Sequence, residues 1–215
     1  MDLSQIYIYR MTHIENIPHI LKHGITHKDS PNANTDYVTI GDKSLIDTRA
    51  AKIVSISNGN RFQSFERITL GDFIPFYFGV RMPMLFVIQR GWNGVKMTLP
   101  ENIIYMACKL SDIIQSGITY YFSDRHAIDG FASFYNSQKI TNLPTIINWN
   151  AVKSSYWGGE ENLETKKQKE AEFLLADDIP FKYLYGFVCY NEPAKQRLIE
   201  FGVDKEIRVS SNAYF

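Results

Sequence analysis

The sequence predicts an α+β fold, on three observations. Strand-length segments rich in aromatic and β-branched residues outnumber helical ones. Short helices interrupt these segments without the regular alternation that builds a parallel sheet. No G-x-G-x-x-G or Walker-type loop occurs, which removes the two commonest nucleotide cradles.

The elements follow in order. Ile6-Tyr7-Ile8-Tyr9-Arg10-Met11 reads as a first strand, and a short helix from Ile14 to His23 stops at Gly24, where a left-handed residue is wanted. Lys28 to Asp36 is a polar loop of turn formers, and a second short helix covers Lys43 to Ala51. Asn58-Gly59-Asn60 is a turn. Strands are expected at Phe73–Phe78, Met84–Gln89, Ile103–Cys108, Thr119–Phe122, Phe173–Leu175, Leu184–Tyr190 and Glu206–Val209, with helices near Asp129–Ser137 and Pro193–Phe201. There is no internal repeat. At 215 residues one domain spanning 1–215 is sufficient.

Composition narrows the function classes. Hydrophobic content of 45% and charged content of 21% are ordinary for a globular protein, whereas 14% aromatic residues favour a β-rich core or a surface that stacks rings and bases. Formal net charge is zero, so a nucleic-acid partner requires a local basic groove rather than a global field. Cys108 and Cys189 lie in apolar runs and read as buried, reduced thiols without zinc-site spacing. The N-terminus lacks a signal-peptide pattern and no apolar run reaches the ~20 residues of a membrane helix, so the expectation is a cytoplasmic protein without membrane contact.

Four stretches carry possible chemistry. In Lys169-Glu170-Ala171-Glu172-Phe173-Leu174-Leu175 two carboxylates are two residues apart at the start of an apolar segment, and strand alternation would project both from one face. Such a pair suits glycosyl transfer; a solvated Lys/Glu run ahead of a core strand fits the same residues. Tyr9-Arg10-Met11-Thr12-His13 ends the first strand, with His13 either on a ligand or capping the next helix. Arg49 either presents a bidentate fork to a diphosphate or pairs with a helix carboxylate such as Asp47. Tyr121-Phe122-Ser123-Asp124-Arg125-His126-Ala127 leads into a turn in which Ser123 or Asp124 can cap a helix and His126 can be an exposed loop residue. His19 and His23 have the i, i+4 spacing of metal ligands but no acidic third ligand, so no metal is expected.

Taken together the chain resembles the DarT family of DNA ADP-ribosyltransferase toxins. The resemblance lies in Tyr9-Arg10-Met11-Thr12-His13 with Asn16-Ile17, Ile40-Gly41 through Arg49, and Gly71-Asp72-Phe73-Ile74-Pro75-Phe76-Tyr77-Phe78 with Met82-Pro83-Met84-Leu85. It continues in Phe122-Ser123-Asp124-Arg125-His126-Ala127, Ile147-Asn148-Trp149, Glu170-Ala171-Glu172-Phe173-Leu174 and Gly186-Phe187-Val188-Cys189-Tyr190, in the family's order.

The resemblance implies the ADP-ribosyltransferase fold, a two-sheet split core with NAD, consumed as co-substrate, in the cleft. It implies transfer of ADP-ribose to a base of single-stranded DNA, blocking replication, and neutralisation by a macrodomain antitoxin. By position Glu172, Arg49 and His126 are catalytic, while His13, Thr12, Arg49 and Tyr77 bind NAD. Glu170 falls where the family often carries Gln and is assigned to acceptor binding. Residues 145–168 read as a long acceptor loop, with Trp149, Tyr156 and Trp157 stacking on bases and Lys166 and Lys167 meeting phosphates; a solvated helix face accounts equally well for the lysines. Asp47 and Arg81-Met82-Pro83-Met84 lean toward the guanine-modifying subgroup over the thymine-modifying one. ADP-ribosyl transfer to RNA or protein, and a non-catalytic ADP-ribose-binding module, are the alternatives.

Overall fold

The structure, a computed structural model, describes residues 2–60 and 62–215. In chain order its elements are β1 (Tyr7–His13), α1 (Ile17–His23), α2 (Lys43–Ala51), β2 (Ile53–Ile56), β3 (Glu66–Thr69), β4 (Ile74–Tyr77), α3 (Pro83–Arg90), β5 (Ile103–Lys109) and α4 (Leu110–Gln115). There follow β6 (Tyr120–Ser123), β7 (Phe134–Tyr135), α5 (Leu143–Ile146), α6 (Trp149–Lys153), α7 (Leu163–Lys169), β8 (Glu172–Leu175), β9 (Leu184–Cys189), α8 (Glu192–Glu200) and β10 (Glu206–Val209). Among the described residues no helix is long and apolar enough to cross a membrane.

The strands are ordered β10-β9-β5-β1-β4-β8-β6-β7-β2-β3. β1 pairs with β5 along its whole length, from Tyr7 opposite Lys109 to His13 opposite Ile103. Toward β4 it is joined by one register pair, Tyr9 opposite Tyr77. The ten strands therefore form two wings joined by this single register pair, and the expected split lies at that junction. β4 next pairs with β8 from Ile74–Leu175 to Tyr77–Glu172.

The wings are held by burial on both faces. Phe76, Phe122 and Phe173 are fully buried, with Tyr120 stacked on Phe173 at 4.9 Å and Tyr135 on Phe122 at 5.1 Å between centroids. Each such ring contributes about 1.5–3 kcal/mol by leaving water. β5 is buried from Ile103 to Cys108, as befits a strand inside the sheet. Cys108 and Cys189 are both buried and free, and burial pushes the Cys108 thiol up to about 12.

Three sequence expectations are corrected. Met84–Gln89 is not a strand but lies in α3, where Pro83 takes the first turn and Met82, Leu85 and Ile88 recur at a spacing of three on the buried side; Gly91, left-handed at φ 64°, ends it. Asp129–Ser137 is not a helix: after a turn, Phe134–Tyr135 pairs with both β6 and β2, so tertiary pairing overrides local propensity. The 145–168 connection is not a long irregular loop but is built largely from short helices, including α6 and α7. The predicted helix at Ile14–His23 divides into a 3₁₀ turn over Ile14–Asn16 and α1, with Gly24 beyond its end at φ 79°.

Candidate active site

The register around the junction of the wings sets the site. Tyr9, Tyr77 and Glu172 lie side by side on β1, β4 and β8. Glu172 is the first residue of β8 and is fully buried. Its amide donates to Ser123 Oγ at 3.2 Å, fixing the strand entrance. Its Oε1 accepts from Arg49 Nη1 at 3.0 Å and from the Ala127 amide at 2.9 Å. Oε2 lies 2.9 Å from the same Arg49 nitrogen, but out of hydrogen-bonding line with it. Glu172 Oε2 and Arg49 Nη2 are both buried without a hydrogen-bond partner among the described residues. An isolated buried carboxylate is prohibitively unfavourable, and the guanidinium and amide together offset that penalty.

Arg49 reaches this place from the last turn of α2, where a cation also suits the helix dipole. Asp42 starts that helix by accepting the amides of Ser44 at 2.8 Å and Leu45 at 3.4 Å. The other end is pressed against the turn at Gly71, where a Cβ would stand 2.5 Å from Ala50 O. Arg49 thus pairs with Glu172 across 123 residues, rather than with Asp47 as the local alternative had it.

His126 sits in the turn after β6, its amide donating to Lys167 O at 3.0 Å. Its ring lies between two carboxylates: Nε2 is 3.8 Å from Glu172 Oε1 and Nδ1 is 4.0 Å from Glu170 Oε2. The two glutamates do converge, but not by strand alternation. Glu170 ends α7 with φ −93° and ψ 23°, before β8 begins. Burial raises the Glu170 pKa; the His126 charge opposes this, the Glu172 charge adds to it, and Lys166 and the Met84 amide oppose it further. Burial, reinforced by the charges of Glu172 and Glu170, pushes the Tyr77 hydroxyl far up, so it remains a proton-bearing donor at any physiological pH.

Above this cluster opens a cleft of about 480 Å³, bordered by Arg10, Gly41, Asp47, Arg49, Tyr77 and His126. That volume lies within the range of small-molecule sites, roughly 300–1,000 Å³. With unused hydrogen-bonding capacity on Arg49 Nη2 and Glu172 Oε2, it suits a nucleotide carrying both cationic and hydroxyl groups. Among the described residues no three His, Cys, Asp or Glu side chains are grouped to hold a metal.

Several predicted residues stand elsewhere. His13 does not join the Glu172 cluster: its Nδ1 accepts from the Glu15 amide at 3.2 Å and caps the 3₁₀ turn, and burial depresses its pKa. Thr12 is buried outside the cleft lining, accepting from Asn16 Nδ2 at 2.9 Å and standing 3.5 Å from the Tyr37 hydroxyl. Trp149, Tyr156, Trp157, Lys166 and Lys167 do not line the cleft. Trp149 packs edge-on to Phe78, Trp157 against Phe86, and Lys166 lies 5.6 Å above the Trp157 ring. Lys167 pairs with Asp129 at 3.2 Å, and Tyr156 is exposed. Sequence reasoning passed over Arg10, whose Nη1 donates to Pro75 O at 2.9 Å on the cleft wall. The signal was present, since strand alternation puts Arg10 on the same face as Thr12.

The fold has close likenesses among solved structures. Thermus sp. 2.9 DarT in complex with ADP-ribosylated ssDNA superposes with a TM-score of 0.80 at 22% identity, covering 98% of this chain and 96% of that one. The same protein in complex with NAD+ gives 0.75, again at 22% and with 98% of both chains covered. A split sheet with a buried glutamate at the cleft defines the chain as an ADP-ribosyltransferase in architecture. Its residues 9–215 match the family described as "ssDNA thymidine ADP-ribosyltransferase, DarT". Among named relatives, a DNA ADP-ribosyl transferase of Escherichia coli O127:H6 (strain E2348/69 / EPEC) is 28% identical over 211 residues, 98% of this chain and 92% of that one. One from Thermus sp. (strain 2.9) is 28% identical over 200 residues, 90% and 85% respectively. The chain belongs to the DarT family, and its enzyme class is NAD-dependent DNA ADP-ribosyltransferase.

Proposed function

We propose that this chain moves ADP-ribose from NAD to a base of single-stranded DNA with Glu172 as the catalytic carboxylate. One observation carries the reading: a fully buried carboxylate, clamped by Arg49 and the Ala127 amide, keeps one oxygen without a hydrogen bond beside the cleft. As the bond from nicotinamide nitrogen to ribose breaks, the pair leaves with nicotinamide and positive charge grows on the ribose. Glu172 stabilises that charge and accepts a ribose hydroxyl; in a dry site such an interaction is far stronger than in water. The acceptor nitrogen then bonds to the ribose carbon and loses its proton to a nearby carboxylate or to His126. Arg49 orients Glu172 and offers its free Nη2 to the donor's diphosphate. Tyr77 supplies a donor or a ring face at the junction.

The finer assignments follow. The adduct blocks pairing and so replication, which makes the activity toxic, and we place it in the cytoplasm, where NAD and DNA meet. A macrodomain partner that removes ADP-ribose is supported by a Thermosipho africanus relative named as a transferase–glycohydrolase fusion, of which this chain covers 40% at 25% identity. For the base, the family description names thymidine. The lean toward guanine rests on Asp47 and Met84, both of which border the cleft, and on Arg81, which does not.

The experiment is incubation with NAD and single-stranded oligonucleotides lacking one base at a time. Transfer that disappears with one omitted base identifies the acceptor. No modified DNA with any oligonucleotide refutes the DNA reading, and RNA or protein acceptors are then the outcome to test. Glu172→Ala is expected to abolish transfer while NAD still binds; retained transfer removes Glu172 from its role.

A further inference from the structure

A second cavity, of about 650 Å³, opens beside the first turns of β1, the end of β4 and α6. Three cations line it: Arg81, Lys153 and Lys169. Lys169 is only 1% exposed, and its ammonium makes one hydrogen bond, to Val152 O at 2.8 Å. An ammonium carries three donors, so two are left over. Arg81 Nε is buried without a partner. None of the three forms an ion pair among the described residues. Around these charges stand the rings of Tyr9, Phe78 and Trp149.

Buried lysines without a carboxylate are rare, because desolvation disfavours the charged form. Here burial, and then the charge of Arg81, pull Lys169 down to about 8. An anion in the cavity would offset both the burial and the neighbouring positive charge. Position indicates which anion. Lys169 directly precedes Glu170, whose carboxylate is 4.0 Å from His126, so the cavity lies one residue along the chain from the catalytic cluster, and it shares no lining residue with the donor cleft. Cations with ring faces are the chemistry of single-stranded nucleic acid, a phosphate held by charge and a base by stacking.

We propose that this cavity seats a backbone phosphodiester of the acceptor strand, beside the base that receives ADP-ribose, an inference that rests on the DNA activity proposed above. Trp149 enters acceptor binding by this route, together with Lys153, Lys169 and Arg81, while Lys166 and Lys167 stay outside it. The net-neutral chain thereby acquires the local basic site that its composition required.

The test uses the intact protein and oligonucleotides with a single neutral methylphosphonate linkage moved one position at a time around the modified base. One linkage is expected to raise the oligonucleotide KM about tenfold while its neighbours do little. Arg81→Gln and Lys153→Gln are each expected to raise that KM for unmodified DNA, to make the methylphosphonate penalty vanish, and to lower the log–log salt slope by about 0.7, the single-strand counterion value. Thermal melting confirms that the variants fold. Equal KM at every linkage position, with transfer intact, overturns the inference; so does stabilisation by inorganic phosphate alone without any linkage effect, which identifies a free phosphate-bearing ligand instead. Absence of transfer to every unmodified oligonucleotide in the wild-type protein overturns the DNA reading itself.

Discussion

Arg49 and Glu172 form a buried ion pair in which the guanidinium nitrogen lies within 3.0 Å of both carboxylate oxygens and each residue keeps one polar atom unpaired. The pair joins α2 to β8 and is both structural and chemical. Removing one partner leaves an uncompensated charge, so Arg49→Met is expected to destabilise the protein by roughly 3–5 kcal/mol and to abolish transfer. The double variant Arg49→Met/Glu172→Met is expected to recover most of that stability and none of the activity. Urea unfolding of the single and double variants checks this; equal instability in both would show that the pair is not the reason.

Gly71 sets where Arg49 stands. A Cβ at this position meets Ala50 O at 2.5 Å and Ala50 Cα at 2.7 Å, both backbone atoms that cannot rotate aside. Gly71→Ala must therefore push α2 outward. Overpacking of this kind costs about 1–3 kcal/mol. The expected result is a modest fall in Tm and a disproportionate loss of kcat, because a small displacement of an aligned charge weakens catalysis far more than it weakens folding. Steady-state kinetics beside thermal melts separate the two; loss of Tm with kcat intact refutes the link.

How far the sequence disclosed the site depended on the kind of signal. Glu172, Arg49 and His126 were legible because they occur in blocks whose order matches a family, and the fold then brought them within 4 Å. Local periodicity alone left each with an alternative, since a surface arginine and a catalytic arginine look the same in a helix. His13 was open to two readings because a strand-end histidine serves a ligand or a cap equally well, and here its Nδ1 takes the Glu15 amide. Lys169 read as part of a solvated lysine run, yet it is 1% exposed. Nothing in a Lys-Lys-Gln-Lys stretch reveals which lysine turns inward; that depends on α6 packing against α7. The same limit hid α3, whose aromatic and branched residues match a strand until Pro83 and the spacing of three are weighed together.

Glu170 should make stability fall as pH rises. Its folded-state pKa is raised, chiefly by burial, so the folded protein holds this proton more tightly than the unfolded chain does. Stability from this group is therefore complete below the ordinary glutamate range and is lost as pH climbs through the raised folded value. Glu170→Gln removes the titration, so its stabilising effect is expected to be larger at pH 7.5 than at pH 4. Chemical unfolding at the two pH values measures it, and a gain that is the same at both would refute the assigned burial effect.

Lys169 gives the opposite sign and the sharper experiment. Its folded pKa is about 8 against an ordinary 10.5, so the unfolded chain binds the proton more tightly. The destabilisation is complete below pH 8 and fades as pH rises toward 10.5. At one pKa unit per 1.36 kcal/mol the gap amounts to on the order of 3 kcal/mol at neutral pH, offset in part by the hydrogen bond to Val152. Lys169→Met is accordingly expected to raise Tm at pH 7 and to lose that advantage by about pH 10. If the ammonium also meets a phosphodiester, the same variant binds single-stranded oligonucleotides more weakly while melting higher. A variant that is both less stable at pH 7 and unaltered in oligonucleotide binding would mean that Lys169 is held there for packing alone.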